Sequence, residues 1–180
     1  MSKRVALLRA VNVGGTGALP MARLRGLAQA AGLHAPQTLL QSGNLVFEGG
    51  EAADAELEAR LEQALEAEAG LVTQVLVRDG PAWAELMAAN PMPAEAEAAP
   101  SAFLVMVLKR APAAATLSAL QGLASGGERL EARGLALYGV FPAGLGRSKL
   151  GAALSTRGTG LVGTGRNWNT VRRIAALLAA

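Results

Sequence analysis

Cysteine is absent from this 180-residue chain, which excludes a disulfide framework, a thiolate nucleophile and any Cys-ligated metal. Histidine occurs once, at His34, and a single imidazole cannot complete a standard zinc site. No metal or cofactor is therefore expected. Aromatic residues are only 3% of the chain, so the core must be built from Leu, Val and Ala with few large anchors. The longest strongly apolar run, Phe103 to Leu108, is far too short to span a bilayer. The opening Met1-Ser2-Lys3-Arg4 followed by Val5 to Leu8 is broken by Arg9 and lacks a small-residue cleavage site. These absences lead to the expectation of a soluble cytoplasmic protein without membrane association.

What is present points to a packed domain. Hydrophobic residues make up 51% and charged residues 17%, a composition incompatible with disorder. The net charge of +3 conceals a partition along the chain. Residues 1–47 hold five basic side chains and no acid, residues 48–131 hold all 14 acids, and residues 132–180 hold seven basic side chains and no acid. If the two ends converge, they form a positive face that attracts anions; the alternative is that the acids simply collect on exposed helices.

Hydrophobic periodicity gives an order of elements. Val5 to Leu8 reads as a strand, and Pro20 opens a helix whose apolar face is Met21, Leu24, Leu27, Ala28 and Ala31, closed by Gly32. Residues 38–41 and 45–47 flank Ser42-Gly43-Asn44 as a hairpin. Residues 54–68 place Leu57, Leu61 and Leu65 on one helical face, residues 71–77 read as a strand and 81–89 as a short helix. A connector rich in Pro, Ala and Glu follows. Then the order recurs: strand 103–108, helix 113–123, a hairpin of 128–132 with 135–141, a short helix 150–154, a strand 160–162 and a helix 170–178.

The expected fold is α+β, a duplicated ferredoxin-like βαββαβ sandwich. Residues 1–92 form the first half, 93–101 the connector, and 102–180 the second half with a C-terminal helix. In such a half the first two strands end on one sheet edge and the last two on the other. The first half then gathers Asn12-Val13-Gly14-Gly15 with Gln41-Ser42-Gly43-Asn44. The second gathers Gly146-Arg147-Ser148-Lys149 with Thr164 to Asn169. Packed as mutually inverted units, the halves would bring the two clusters face to face.

These segments carry a resemblance. Residues 6–15, Leu19-Pro20-Met21-Ala22, Gln41-Ser42-Gly43-Asn44, Gly146-Arg147-Ser148-Lys149-Leu150 and Arg166-Asn167-Trp168-Asn169-Thr170-Val171 resemble the bacterial family known as domain of unknown function 1697. The likeness spans nearly the whole chain and implies a duplicated α+β fold, with no activity to transfer. One departure stands out: Ala10 lies where the family pattern leads us to expect glycine.

The candidate chemistry is anion binding. Arg9, Arg147, Lys149 and Arg166 supply charge, while Asn12, Asn44, Asn167 and Asn169 position the ligand and Trp168 offers a stacking surface. Gly14, Gly15, Gln41, Ser42, Gly43, Ser148 and Thr170 complete the set. Asparagine before a helix is equally an N-cap, with the indole packed as a lid. Gly146 to Lys149 is not a Walker loop, because serine precedes lysine, and Gly14-Gly15-Thr16-Gly17 lacks GxGxxG spacing. Ser42 and Ser148 have no evident base, and Glu48 is a lone carboxylate. The leading expectation is a binding module, monomeric or homodimeric, for a phosphate-bearing ligand such as nucleic acid. A small enzyme acting on a phosphorylated or acidic metabolite in a cleft between the halves, and a purely structural role for the motifs, are the alternatives.

Overall fold

The computed structural model describes residues 2–13, 18–155 and 157–180, and the chain divides into two compact units, 1–85 with 174–180 and 86–173. Both are α+β. Among the described residues there are two four-stranded antiparallel sheets and seven α-helices, an arrangement consistent with two similar halves.

The first unit contains β1 (Lys3–Leu8), α1 (Met21–Ala30), β2 (His34–Leu39), β3 (Asn44–Glu48), α2 (Asp54–Ala69) and β4 (Val75–Asp79), with sheet order β2-β3-β1-β4. Strand alternation turns Ala6, Leu8, Leu45, Phe47, Val75 and Val77 toward Leu24, Leu27 and Ala28 of α1 and Leu57, Leu61 and Leu65 of α2. These leucines recur every three or four residues, which gives each helix one apolar stripe to bury. Gly32 (φ 82°) and Gly70 (φ 63°) terminate the helices in the left-handed region that favours glycine. Arg4 donates to the Asp54 carboxylate and the Ala52 carbonyl, both at 2.6 Å, and so fastens β1 to the start of α2. The helix α3 (Gly80–Ala88) follows β4.

The second unit contains α4 (Pro93–Ala98), β5 (Phe103–Leu108), α5 (Ala114–Gln121), β6 (Arg129–Arg133), β7 (Ala136–Val140), α6 (Lys149–Ser155) and β8 (Gly163–Asn167), with sheet order β6-β7-β5-β8. Met106, Leu108, Leu130 and Leu137 pack with Leu120, Phe141, Leu150, Leu154 and Leu161. The other face of this sheet is closed as well: Phe103, Val105, Val107, Tyr138 and Arg166 are all buried. The last helix, α7, runs Trp168–Ala179.

Four elements differ from the periodicity reading, the first being β2, which spans His34–Leu39 rather than residues 38–41. The Pro/Ala/Glu connector contains α4, whose Ala96 is fully buried and whose Glu95 and Glu97 pair with Arg129 and Arg172. Residues 71–74 precede β4 rather than belonging to it. The last strand is Gly163–Asn167, not 160–162, so the glycine- and threonine-rich stretch expected as a loop is a strand.

Candidate functional site

In the first unit, β1 and β2 both run antiparallel to β3, so their C-terminal ends meet where Leu7 and Leu39 oppose Asn44. The loop after β1 and the hairpin after β2 therefore share one end of the sheet. Asn12 ties them together. Its Nδ2 donates to the Gln41 carbonyl (2.7 Å) and the Leu19 carbonyl (3.0 Å), and its Oδ1 accepts from the Leu19 N–H (2.8 Å). Asn44 is fully buried, and its Nδ2 donates to the Leu39 carbonyl (2.8 Å) and Ser42 Oγ (2.9 Å). Gly43 sits at φ 73°, with its α-carbon so close to β1 that an added Cβ would lie 2.8 Å from Leu8 Cβ. Gln41 is exposed, and Gly14 and Gly15 lie outside the described residues.

Arg9 is half-buried and donates to Gln74 Oε1 at 3.0 Å. Thr73 Oγ1 donates to the Arg9 carbonyl at 2.6 Å, so the segment before β4 joins the same cluster. The backbone here is unusual. Four described residues other than glycine have positive φ, and three of them, Ala10 (52°), Asn12 (56°) and Leu40 (60°), belong to these two loops. A Cβ crowds the left-handed region, so such strain persists only where surrounding bonds enforce it.

In the second unit, β7 and β8 end on either side of the start of β5, where Phe103 opposes Val140 and Leu104 opposes Asn167. The segments 146–149 and 167–170 follow those ends. Ser148 is buried and accepts the Gly151 N–H on Oγ at 2.9 Å, the N-cap of α6. Its neighbours Arg147 and Lys149 are exposed and make no side-chain hydrogen bond or ion pair among the described residues.

Asn167 caps α7: its Oδ1 accepts from the Thr170 N–H (2.9 Å) and Oγ1 (3.0 Å). Asn169 Oδ1 accepts from Arg172 Nη2 at 3.1 Å. Trp168 is only 5% exposed. It stands edge-on to Phe103, ring centroids 5.8 Å apart and planes at 74°, while its Nε1 donates to Glu97 Oε1 at 2.8 Å. The indole is thus packed inside rather than offered as the expected stacking surface.

Arg166 is likewise buried, at 7% exposure, because it lies within β8 and shares the buried sheet face with Val105. Its Nη1 donates to Thr164 Oγ1 and to the Gly165 carbonyl, both at 2.7 Å. Removal from water disfavours the guanidinium and lowers its pKa to about 10. The glycines beside it also belong to the strand. A Cβ on Gly163 would lie 2.5 Å from the Val107 carbonyl oxygen, and one on Gly165 would lie 2.7 Å from Leu104 Cδ1.

The structure thus gathers Arg9, Asn12 and 41–44 at one sheet end, and 147–149 with 167–170 at one end of the other sheet. His34 is exposed at the start of β2, and Glu48 ends β3 half-buried. Among the described residues no group of three or more acidic or histidine side chains could hold a metal ion. Glu97 engages both Trp168 and Arg172, and nothing local in the sequence distinguishes it from the other acids near it.

The family model described as a protein of unknown function, DUF1697, matches residues 1–138. The chain belongs to this family. The match covers the first sheet and its loop cluster and ends before Arg147 and Arg166. Among solved structures, a conserved bacterial protein from Streptococcus pneumoniae has a TM-score of 0.74 over 98% of both chains, with 18% identity, a likeness of fold alone. No curated protein matches. No helix among the described residues is long and apolar enough to cross a membrane.

Proposed function

We propose that the protein is a cytoplasmic binding module for a phosphate-bearing ligand, with Arg147 and Lys149 as its principal contacts. The observation that carries this reading is a charge imbalance. Residues 86–173 contain ten basic and four acidic side chains, a net of +6, whereas the other unit is net −3. Each of the four acids is engaged: Glu95 with Arg129, Glu97 with Arg172 and Trp168, Glu131 with Arg133, and Glu128 with the Ser125 N–H. Arg147 and Lys149 keep both charge and exposure. Such a surface attracts anions over several ångströms, and a polyanion that docks on it releases its own condensed counterions.

The strand orders β2-β3-β1-β4 and β6-β7-β5-β8 support a further element of the proposal, that the halves are duplicated ferredoxin-like units. Fluorescence anisotropy with a labelled single-stranded oligonucleotide tests the binding function. Affinity should fall steeply from low to moderate salt, and Arg147→Gln with Lys149→Gln should reduce the salt slope by about 1.4, about 0.7 per lost phosphate contact on a single strand. No binding at low salt rejects the proposal.

A second reading has its own support. The amides of Asn12 and Asn44, the carbonyl oxygens of Asn167 and Asn169 and the Trp168 indole are all engaged inside the protein. On this reading the motif residues are scaffolding that holds loops and helix starts in place. Asn167→Ala would then lower stability while leaving oligonucleotide affinity unchanged.

A further inference from the structure

An antiparallel edge strand turns every second residue's N–H and C=O away from its sheet, toward any chain that can pair with it. In the first unit these edges are defended. Pro36 interrupts β2. On β4, Glu62 and Glu58 of α2 accept the outward N–H groups of Val75 and Val77, each at 2.8 Å.

The β6 edge is treated differently. The backbone bonds Leu108 N–H to Leu135 O and Phe141 N–H to Ala102 O fix which residues of β7 face β5. It follows that β7 bonds to β6 through Arg129, Glu131 and Arg133, and that Leu130 and Ala132 face outward. Their carbonyls are covered by Gln121 Nε2 (2.9 Å) and Arg133 Nη1 (2.8 Å), but their N–H groups have no acceptor among the described residues. Beside them a groove of about 430 Å³ opens between α5 and β6. Leu117, Ala124, Leu130 and Ala132 give it an apolar lining.

We propose that this edge pairs with β6 of a second copy of the chain, joining the two sheets into one of eight strands. The side-chain pattern Arg129-Leu130-Glu131-Ala132-Arg133 selects both occupant and register. When a two-fold axis passes through Ala132, the two Ala132 residues exchange N–H···O bonds, and Leu130 pairs with the partner's Gly134. Glu131 then faces the partner's Arg133, twice over. When the axis passes through Glu131 instead, Glu131 faces Glu131 and Arg129 faces Arg133, the like-charge opposition that destabilises a ladder. An axis through Leu130 would also set Glu131 against Arg129, but Glu95 already holds Arg129, which leaves the register centred on Ala132. Arg133, now bonded to Glu131 of its own strand at 3.0 Å and to the Ala132 carbonyl, must release that carbonyl when the partner docks. Five-residue edges make a small contact, so the association is weak.

Sedimentation velocity over a concentration series, from about 5 to 500 µM for a contact of this size class, tests it. The wild-type chain should shift from monomer to dimer across the series. Ala132→Pro removes an outward N–H without touching the β6–β7 ladder, and it should weaken dimerisation at least tenfold with the circular dichroism spectrum unchanged. Glu131→Arg and Arg133→Glu should each abolish the dimer, and the double exchange should restore it, because that exchange recreates both pairings with the signs reversed. A chain that stays monomeric at every concentration, or a dimer indifferent to all four variants, overturns the proposal.

Discussion

Ala10 offers the sharpest test of the loop geometry. Its φ of 52° places an exposed alanine in the left-handed region, directly after Arg9, whose N–H and carbonyl are both bonded to the 73–74 segment. A Cβ there costs about 1–2 kcal/mol against its following carbonyl. Glycine removes that cost but gains about 0.4–1 kcal/mol of freedom in the unfolded chain. Ala10→Gly should therefore stabilise the protein by about 0.5–1 kcal/mol, which for a chain of this size raises Tm by about 1–4 °C. The same substitution at Ala59, exposed in the middle of α2, should destabilise by about 1 kcal/mol, because glycine is a poor helix former. Urea denaturation measures both as shifts of midpoint at constant slope. Opposite signs support the reasoning. If Ala10→Gly is neutral or destabilising, the strained backbone assigned to this loop is refuted.

Other substitutions follow from the same geometry. Asn12→Ala removes three hydrogen bonds, one to Gln41 of the hairpin and two to Leu19 of its own loop, and should cost about 1–3 kcal/mol in urea unfolding, the lower end reflecting its exposure. Trp168→Ala empties a buried indole site and should cost about 3–5 kcal/mol, whereas Trp168→Phe keeps most of the packing and loses chiefly the bond to Glu97, about 1 kcal/mol. Gly163→Ala drives a methyl into the Val107 carbonyl and should cost more than Gly165→Ala, whose obstacle is the movable end of Leu104; thermal melts compare them directly. Tyr138, the chain's one tyrosine, is buried with its hydroxyl donating to the Leu86 carbonyl at 2.6 Å, and burial raises its pKa to about 12. Absorbance titration should place its ionisation near pH 12 rather than 10. A raised folded-state pKa means that its contribution to stability is complete below pH 10 and is lost as pH rises toward 12.

Much of the architecture was legible because burial leaves periodicity behind. The run Phe103 to Leu108, the leucines of α2 and the Gly-containing turns each carry their own signal, independent of what they later touch. The departure at Ala10 was visible too, though only the backbone angle gives it a consequence. The helix α4 was not legible, since its Pro-Ala-Glu composition resembles a linker until Ala96 is seen buried and Glu97 bonded to Trp168. Nor was β8. Gly-Thr-Gly-Arg-Asn has poor strand propensity, and it becomes a strand because β5 supplies the ladder and leaves space at Gly163 and Gly165 for nothing larger than hydrogen.

The sequence by itself therefore determined the class of fold, the order of most elements, the uneven charge and the residues worth watching. Local chemistry is enough for each: periodicity, turn conformation and the sign of a side chain belong to the chain before it folds. Tertiary structure alone decided that Arg166 and Trp168 turn inward while Arg147 and Lys149 remain outside. It also decided which strand edge was left open. Exposure and pairing depend on which distant segment arrives alongside, and no local pattern records that.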